Sequence, residues 1–280
     1  MTVIITRPEP DASAFALMLE NDGIPYIQSP VMEICYEEVT PDMEGVTAIA
    51  FTSANGVRGL INALPGFNSP NSYANPGQVS PAPHHKTHNI LALPVFAIGP
   101  ATAAVAKENG FSTVHVAEGD GISLAALLSK HFSKQASAQT PGQSRTQPTP
   151  LIYHAAGSIR QGDLVKRLGA AKINARREVL YRALPVARIS HQARRLFKAP
   201  KDSHKDSHIV VTFFSPRTAR LFVEQIKKEG LLHRLSNAHC VCLSTAIADI
   251  LEKSHWKSIQ IAAKPNVNAI RDLLTPYLSD

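Results

Sequence analysis

Four short turns concentrate the residue types that could do chemistry. They are Thr6-Arg7-Pro8, Thr52-Ser53-Ala54-Asn55-Gly56, Gly99-Pro100-Ala101-Thr102 and Phe214-Ser215-Pro216-Arg217-Thr218. Each follows an apolar, β-rich run and precedes a helical pattern, so each sets hydroxyls or amides at a helix start. The first N–H groups of a helix have no partner within it and carry the positive end of its dipole. Turns of this kind suit carboxylates or phosphates. The plainer reading is that Ser53, Ser215 and Thr102 are only N-caps, each stabilising its helix by about 1 kcal/mol. Recurrence of equivalent turns in both halves of the chain favours the ligand reading, although duplication alone accounts for recurrence too.

The familiar catalytic motifs are absent. No G-x-G-x-x-G follows a strand and there is no G-x-x-x-x-G-K-[ST], so neither the usual dinucleotide site nor a P-loop is supported. No G-x-S-x-G elbow surrounds Ser53 or Ser215, which leaves serine hydrolysis without backing. No H-E-x-x-H or paired Cys motif points to zinc. Cys35, Cys240 and Cys242 make no disulfide framework. Cys240 and Cys242, two apart in an apolar run, share one face of a strand and read as a buried structural pair. His84, His85 and His88 fall in a Pro-rich stretch, where surface decoration is a simpler reading than metal binding. His154, at a strand end, is open between facing a ligand and packing. No metal and no cofactor are expected.

The elements that must position these turns alternate in type. Strands are expected at Val3–Thr6, Thr47–Phe51, Pro94–Ile98, Thr113–Val116 and Leu151–His154, with helices between them. Asp11 is the expected cap of the first helix, and Ser123 that of a helix running to Lys130. This β-α-β-α order implies α/β layers with largely parallel sheets. The pattern also recurs within the chain. Leu151–His154 matches the first strand, and Ala171–Tyr181 the extended segment Ile24–Tyr36. Ile209–Ser215 matches Ala48–Ser53, and Cys240–Ser244 loosely matches Val95–Gly99. Trp256–Ala262 matches Phe111–Ala117. The repeat is half the chain long, which implies two similar α/β domains, with a cleft between them as the default ligand site. Residues 65–89 and 133–150, rich in Pro, Ser, Asn and Gln, read as flexible insertions.

Composition fits this picture. Of 280 residues, 44% are hydrophobic and 18% charged, enough apolar mass for real cores in one large or two smaller domains. No run of roughly 18 apolar residues exists to span a membrane. The opening M-T-V-I-I-T-R-P reads as a strand rather than an export leader, and with the cysteine usage it implies a cytoplasmic protein. The net charge of +7 favours an anionic partner or serves solubility alone. Basic residues thicken between Lys166 and Lys201, but aromatics are only 6% of the chain, so stacking platforms for nucleic acid are unsupported and no nucleic-acid partner is expected.

Five segments in order resemble the uroporphyrinogen-III synthase family: V-I-I-T-R-P, A-I-A-F-T-S-A-N-G-V, F-A-I-G-P-A-T-A, V-L-Y-R-A-L-P and V-T-F-F-S-P-R-T-A. The resemblance covers nearly the whole chain except the two Pro/Ser-rich stretches. It implies two similar domains with mostly parallel sheets flanked by helices, joined by a two-strand hinge, with the active-site cleft between them. The chain would start one domain, complete the second and cross back, giving residues 1–36 with 184–280 and residues 37–183. The implied reaction closes hydroxymethylbilane, a linear tetrapyrrole polycarboxylate, to uroporphyrinogen III. Water leaves ring A, ring D attacks through its substituted carbon, and a spiro intermediate reopens and recloses with ring D inverted. The implied enzyme is a monomeric lyase of porphyrin and heme biosynthesis, with no membrane partner. Its catalysis rests on orientation and protection more than on a strong nucleophile, consistent with the missing triad.

The same resemblance assigns roles residue by residue. Tyr181 matches the tyrosine at the second crossing and would assist departure of the hydroxyl, since a phenol can donate a proton at neutral pH; hinge packing is the alternative. Ser53, Thr102 and Ser215 match turn residues that would bind substrate carboxylates. Arg7 and Arg160 are further candidates beside strand-end turns. At the last turn the chain departs from the family pattern with Leu243-Ser244-Thr245-Ala246, which leaves open whether Ser244 or Thr245 makes the contact. The competing reading is a non-catalytic two-domain binder of an anionic small molecule.

Overall fold

The computed structural model describes residues 1–64, 90–137, 149–160, 162–199 and 208–278. The strands are β1 (Thr2–Ile5), β2 (Tyr26–Gln28), β3 (Met32–Tyr36), β4 (Val46–Phe51), β5 (Val95–Ala97), β6 (Val114–Val116), β7 (Leu151–Gly157), β8 (Asn174–Pro185), β9 (Ile209–Phe213), β10 (Ala238–Cys242) and β11 (Ser258–Ile261). The helices used below are α1 (Asp11–Asn21), α2 (Ala54–Ala63), α3 (Pro100–Glu108), α4 (Gly121–Ser137), α5 (Leu164–Ala170), α6 (His191–Lys198), α7 (Pro216–Lys228), α8 (Thr245–Leu251) and α9 (Val267–Asp272).

Contacts divide the chain into two units, Met1–Ile34 with Leu184–Asp280, and Cys35–Ala183. Unit 1 holds a sheet in the order β11-β10-β9-β1-β2, and unit 2 is built on the sheet β3-β8-β7-β4-β5-β6. Every pair within β2-β1-β9-β10-β11 and within β8-β7-β4-β5-β6 is parallel. Read from β2 in one unit and from β8 in the other, these five-strand orders place each sequence repeat at the same sheet position. The chain merely enters the pattern at a different strand: unit 1 opens on β1, unit 2 on β4. Both passages between units lie in β3 and β8, which neighbour each other. In unit 1, Val186 N–H donates to Val31 O at 3.1 Å, and in unit 2, Glu37 N–H donates to Leu180 O at 2.9 Å.

Parallel strands are covered on both faces and so read as continuous apolar runs. In β4, Ile49 and Phe51 join a core with Val57, Leu60 and Tyr153. Their neighbours Ala48 and Ala50 point the other way, to Phe96, Leu124 and Leu128. In unit 1 the sheet residues Val3, Ile5, Val210 and Val241 pack with Phe15 and Leu19 of α1 and with Ile270 of α9.

Several local expectations are corrected. Asp11 does not cap α1; it is the first helical residue and pairs with Arg7, while the Glu9 carboxylate accepts from Ser13 N–H at 3.0 Å. Asp120, not Ser123, caps α4, accepting from Ile122 N–H and Ser123 N–H. That helix runs to Ser137, past Lys130 and into the stretch expected to be an insertion from residue 133. His131 and Phe132 pack on Phe96 and extend its apolar face. Residues 65–89, with their three histidines, and residues 138–148 lie outside the described residues. Helix α6 was masked in the sequence by its basic residues. Ser190 caps it, and Ala193 and Phe197, one turn apart, are its buried face.

Several arginines of the basic stretch are paired. Arg176 pairs with Asp42, Arg182 with Glu37, and Arg194 with Glu229 at 2.8 Å. These cations serve the fold, so the net charge overstates what is free for a ligand. Among the described residues, no helix is long and apolar enough to cross a membrane.

Candidate active site

In unit 2, two glycines decide where α2 lies. Gly56 and Gly59, three apart, occupy one helical face. A Cβ on Gly56 would sit 2.7 Å from Ala155 O of β7, and one on Gly59 would sit 2.9 Å from Leu180 Cβ of β8. Lacking side chains there, α2 lies directly on both strands, and its N-terminus is brought beside Tyr181 of β8. Ser53, extended at φ −165°, caps α2 by accepting from Gly56 N–H at 3.1 Å. The same Oγ lies 2.9 Å from the Tyr181 hydroxyl. Both side chains are half-buried. One hydroxyl thus closes the helix end and also meets the phenol.

The other turn residues are placed differently. Ser215 caps α7, accepting from Thr218 N–H at 3.1 Å, and its Oγ lies 2.7 Å from Thr218 Oγ1. Its hydroxyl is thus closed within its own helix. Ser244 stands at the start of α8 without a side-chain capping bond, and Thr245 is exposed in the first turn. Thr102, in the first turn of α3, is only 5% exposed, so little of it faces solvent. Gly99, not a hydroxyl-bearing residue, occupies the cap position of that helix. Arg7 pairs with Asp11 at 2.8 Å and lies 4.2 Å above the Phe214 ring, which fixes it and neutralises much of its charge. Thr6, in the same turn, donates its hydroxyl to Thr212 O at 2.6 Å and ties β1 to β9. Arg160 is exposed past the end of β7. Unit 2 thus carries Ser53, Thr102, Arg160 and Tyr181, and unit 1 carries Arg7, Ser215, Ser244 and Thr245.

Sequence reasoning missed the bond between Thr52 and His154. Thr52 Oγ1 lies 3.2 Å from His154 Nε2. His154 is buried, and burial first, then the nearby Arg177 charge, pushes its pKa down to about 4. At neutral pH it is therefore an uncharged packing element. Tyr153 beside it donates to Glu178 at 2.6 Å, and burial raises its pKa well above the ordinary phenol value. Both Cys240 and Cys242 are buried in β10; burial drives the Cys240 thiol up, and the Cys240 contact lowers Cys242. Among the described residues, no group of three or more His, Cys, Asp or Glu could hold a metal ion.

These features define a two-unit α/β protein on two parallel sheets of matching strand order, with hydroxyl-bearing turns at helix starts. The family profile described as uroporphyrinogen-III synthase HemD matches residues 13–272, and the chain belongs to the uroporphyrinogen-III synthase family. It is similar in structure to uroporphyrinogen-III synthetase from Helicobacter pylori, with a TM-score of 0.58, 16% identity and 98% of each chain covered. A mutant uroporphyrinogen III synthase from Thermus thermophilus gives 0.52 at 16% identity, over 99% of this chain and 98% of that one. At such identity these likenesses speak to the fold alone. A Methanocaldococcus jannaschii protein, named provisionally as a uroporphyrinogen-III synthase, is 42% identical over 65 residues, 23% of this chain and 27% of that protein. The chain thus matches about a quarter of that relative's length.

Proposed function

We propose that this chain closes hydroxymethylbilane to uroporphyrinogen III, with loss of water and inversion of ring D through a spiro intermediate. The observation that carries the reading is the Tyr181 hydroxyl held 2.9 Å from Ser53 Oγ at the start of α2 in a member of this family. The reaction needs a donor for the departing ring-A hydroxyl. A phenol supplies one, and Ser53 Oγ gives it a fixed direction. Once water has left, the cation is intramolecular and reactive, and the protein's task is to hold ring D so that its substituted carbon attacks. Enzyme-free closure gives the unflipped isomer, so orientation decides the product.

The substrate's carboxylates are assigned to Ser53, Thr102 and Arg160 in unit 2, and to Ser215, Ser244 and Thr245 in unit 1. Of the last two, Ser244 is the better candidate, because its side chain makes no capping bond. The weaker members of the set are Arg7, already paired with Asp11, Ser215, whose hydroxyl is engaged by Thr218, and Thr102, which is buried. The chemistry requires no cofactor and no metal. On this reading the protein works as a cytoplasmic monomer and takes no nucleic acid.

The test adds purified protein to freshly made hydroxymethylbilane without metal or cofactor, then separates the oxidised uroporphyrin isomers. Isomer III in excess over isomer I is the expected result. Isomer I alone, from folded protein, overturns the reading and favours a non-catalytic anion binder.

A further inference from the structure

Strand β8 does not run evenly beside β7. Glu178 pairs with Ala155 and Val179 with Ala156, but the next β7 residue, Gly157, pairs with Tyr181. The register shifts at this point, and Leu180 is the extra residue. A bulge of this kind re-aims the side chain that follows it. Leu180 turns into the core against Gly59, and Tyr181 turns over Gly157. A Cβ built on Gly157 would lie 2.6 Å from Tyr181 Cζ and 2.7 Å from its hydroxyl oxygen. No real Cβ tolerates that approach. Gly157 is not in a positive-φ conformation, so its lack of a side chain answers to space alone. The notch is also held from both sides. Ser158 N–H donates to Tyr181 O at 2.9 Å, and the Arg177 guanidinium donates to Gly157 O.

We infer that Gly157 is the positioning residue for Tyr181: the β8 bulge and the glycine notch together seat the phenol on Ser53 Oγ. Gly157 acts through Tyr181 and does not touch the reacting atoms. The inference deepens the proposed reaction and rests on it for its kinetic consequence, but the seating is a property of the protein itself. With an alanine at 157, the ring is the movable party, because its two side-chain torsions are freer than the strand backbone. The hydroxyl would leave Ser53 while the strands kept their pairing.

The test uses the full chain and two readouts. The first is the 13Cζ NMR signal of Tyr181, assigned by its loss in Tyr181→Phe. Gly157→Ala should move this signal in the same direction as Ser53→Ala, while the thermal midpoint and circular dichroism show an intact fold. An unmoved Tyr181 signal in folded Gly157→Ala overturns the inference, whatever the protein's reaction. A Gly157→Ala chain that will not fold overturns it too, since the glycine would then serve the fold. The second readout is turnover of hydroxymethylbilane. Gly157→Ala should lower kcat by about tenfold or more with KM nearly unchanged. In a Tyr181→Ala background, where the ring is gone, the same change should cost almost nothing. An equal loss in both backgrounds means that Gly157 acts elsewhere and overturns the inference. No isomer III from the wild type would instead defeat the proposed reaction, leaving the NMR result to decide the seating.

Discussion

The two units make the same turn and use it differently. In unit 2, Ser53 closes α2 and its hydroxyl also meets Tyr181. In unit 1, Ser215 closes α7 and its hydroxyl is satisfied by Thr218 of the same helix. The difference traces to the strand that flanks each turn's central pair. Strand β8 runs for twelve residues and carries a bulge that delivers a tyrosine, whereas β2, at the matching position, has three residues. Both turns carry a capping serine, and among the described residues only the unit 2 serine is hydrogen-bonded to a phenol. The cap is common to both units, and the proposed chemistry rests on the phenol that meets it in unit 2.

The largest effect is expected at Tyr181. Removing the hydroxyl in Tyr181→Phe should lower kcat by about a hundredfold or more, with substrate binding largely kept, as stopped-flow turnover and equilibrium binding would show. Undiminished turnover would make the unit 2 turn no more than a cap. Next comes Gly56→Ala. Its Cβ would meet backbone at 2.7 Å, which neither partner can avoid by a side-chain rotation, so α2 must lift from β7. A loss of about 1–3 kcal/mol in urea unfolding is expected, with activity falling as Ser53 is displaced.

Acid should weaken both units. His154 and His239 are each pushed down to about 4, in both cases chiefly by burial. Their unfolded-state value is about 6.5, so between about pH 6.5 and 4 the unfolded chain binds more protons than the native one. Stability is fully present above that window and is lost as pH falls through it. His154→Asn should flatten the unit 2 share of that dependence in a series of urea midpoints. The smallest effect is expected at the exposed Arg182–Glu37 pair. Arg182→Gln should move the unfolding midpoint little, because exposed ion pairs contribute about 0–1 kcal/mol.

Much of the architecture was legible in the residues. Apolar β-rich runs ending in Thr52-Ser53 and Phe214-Ser215 marked parallel strands and helix caps, and the internal matches implied two similar α/β units. What stayed hidden depends on contacts far apart in sequence. That Ser53 meets Tyr181, 128 residues on, follows from Gly56 and Gly59 letting α2 down onto β7 and β8. Glycines inside a helix read as weak helix formers until the strand beneath them is known. The bulge at Leu180 was equally invisible, because pairing register has no local signature. Asp120 displaced Ser123 as a cap because both residue types fit that position and geometry chose between them. Thr102 carries the right chemistry in the right turn, yet it is buried, which only packing could reveal.

The division of labour between the turns is tested most directly by Ser53→Ala and Ser215→Ala, measured side by side in steady-state turnover of hydroxymethylbilane. Both variants lose a helix cap, so their stabilities should fall by a similar amount of about 1 kcal/mol. Ser53→Ala is expected to lower kcat, because Tyr181 loses its partner, while Ser215→Ala changes at most KM. Equal changes in kcat for the two variants would contradict it.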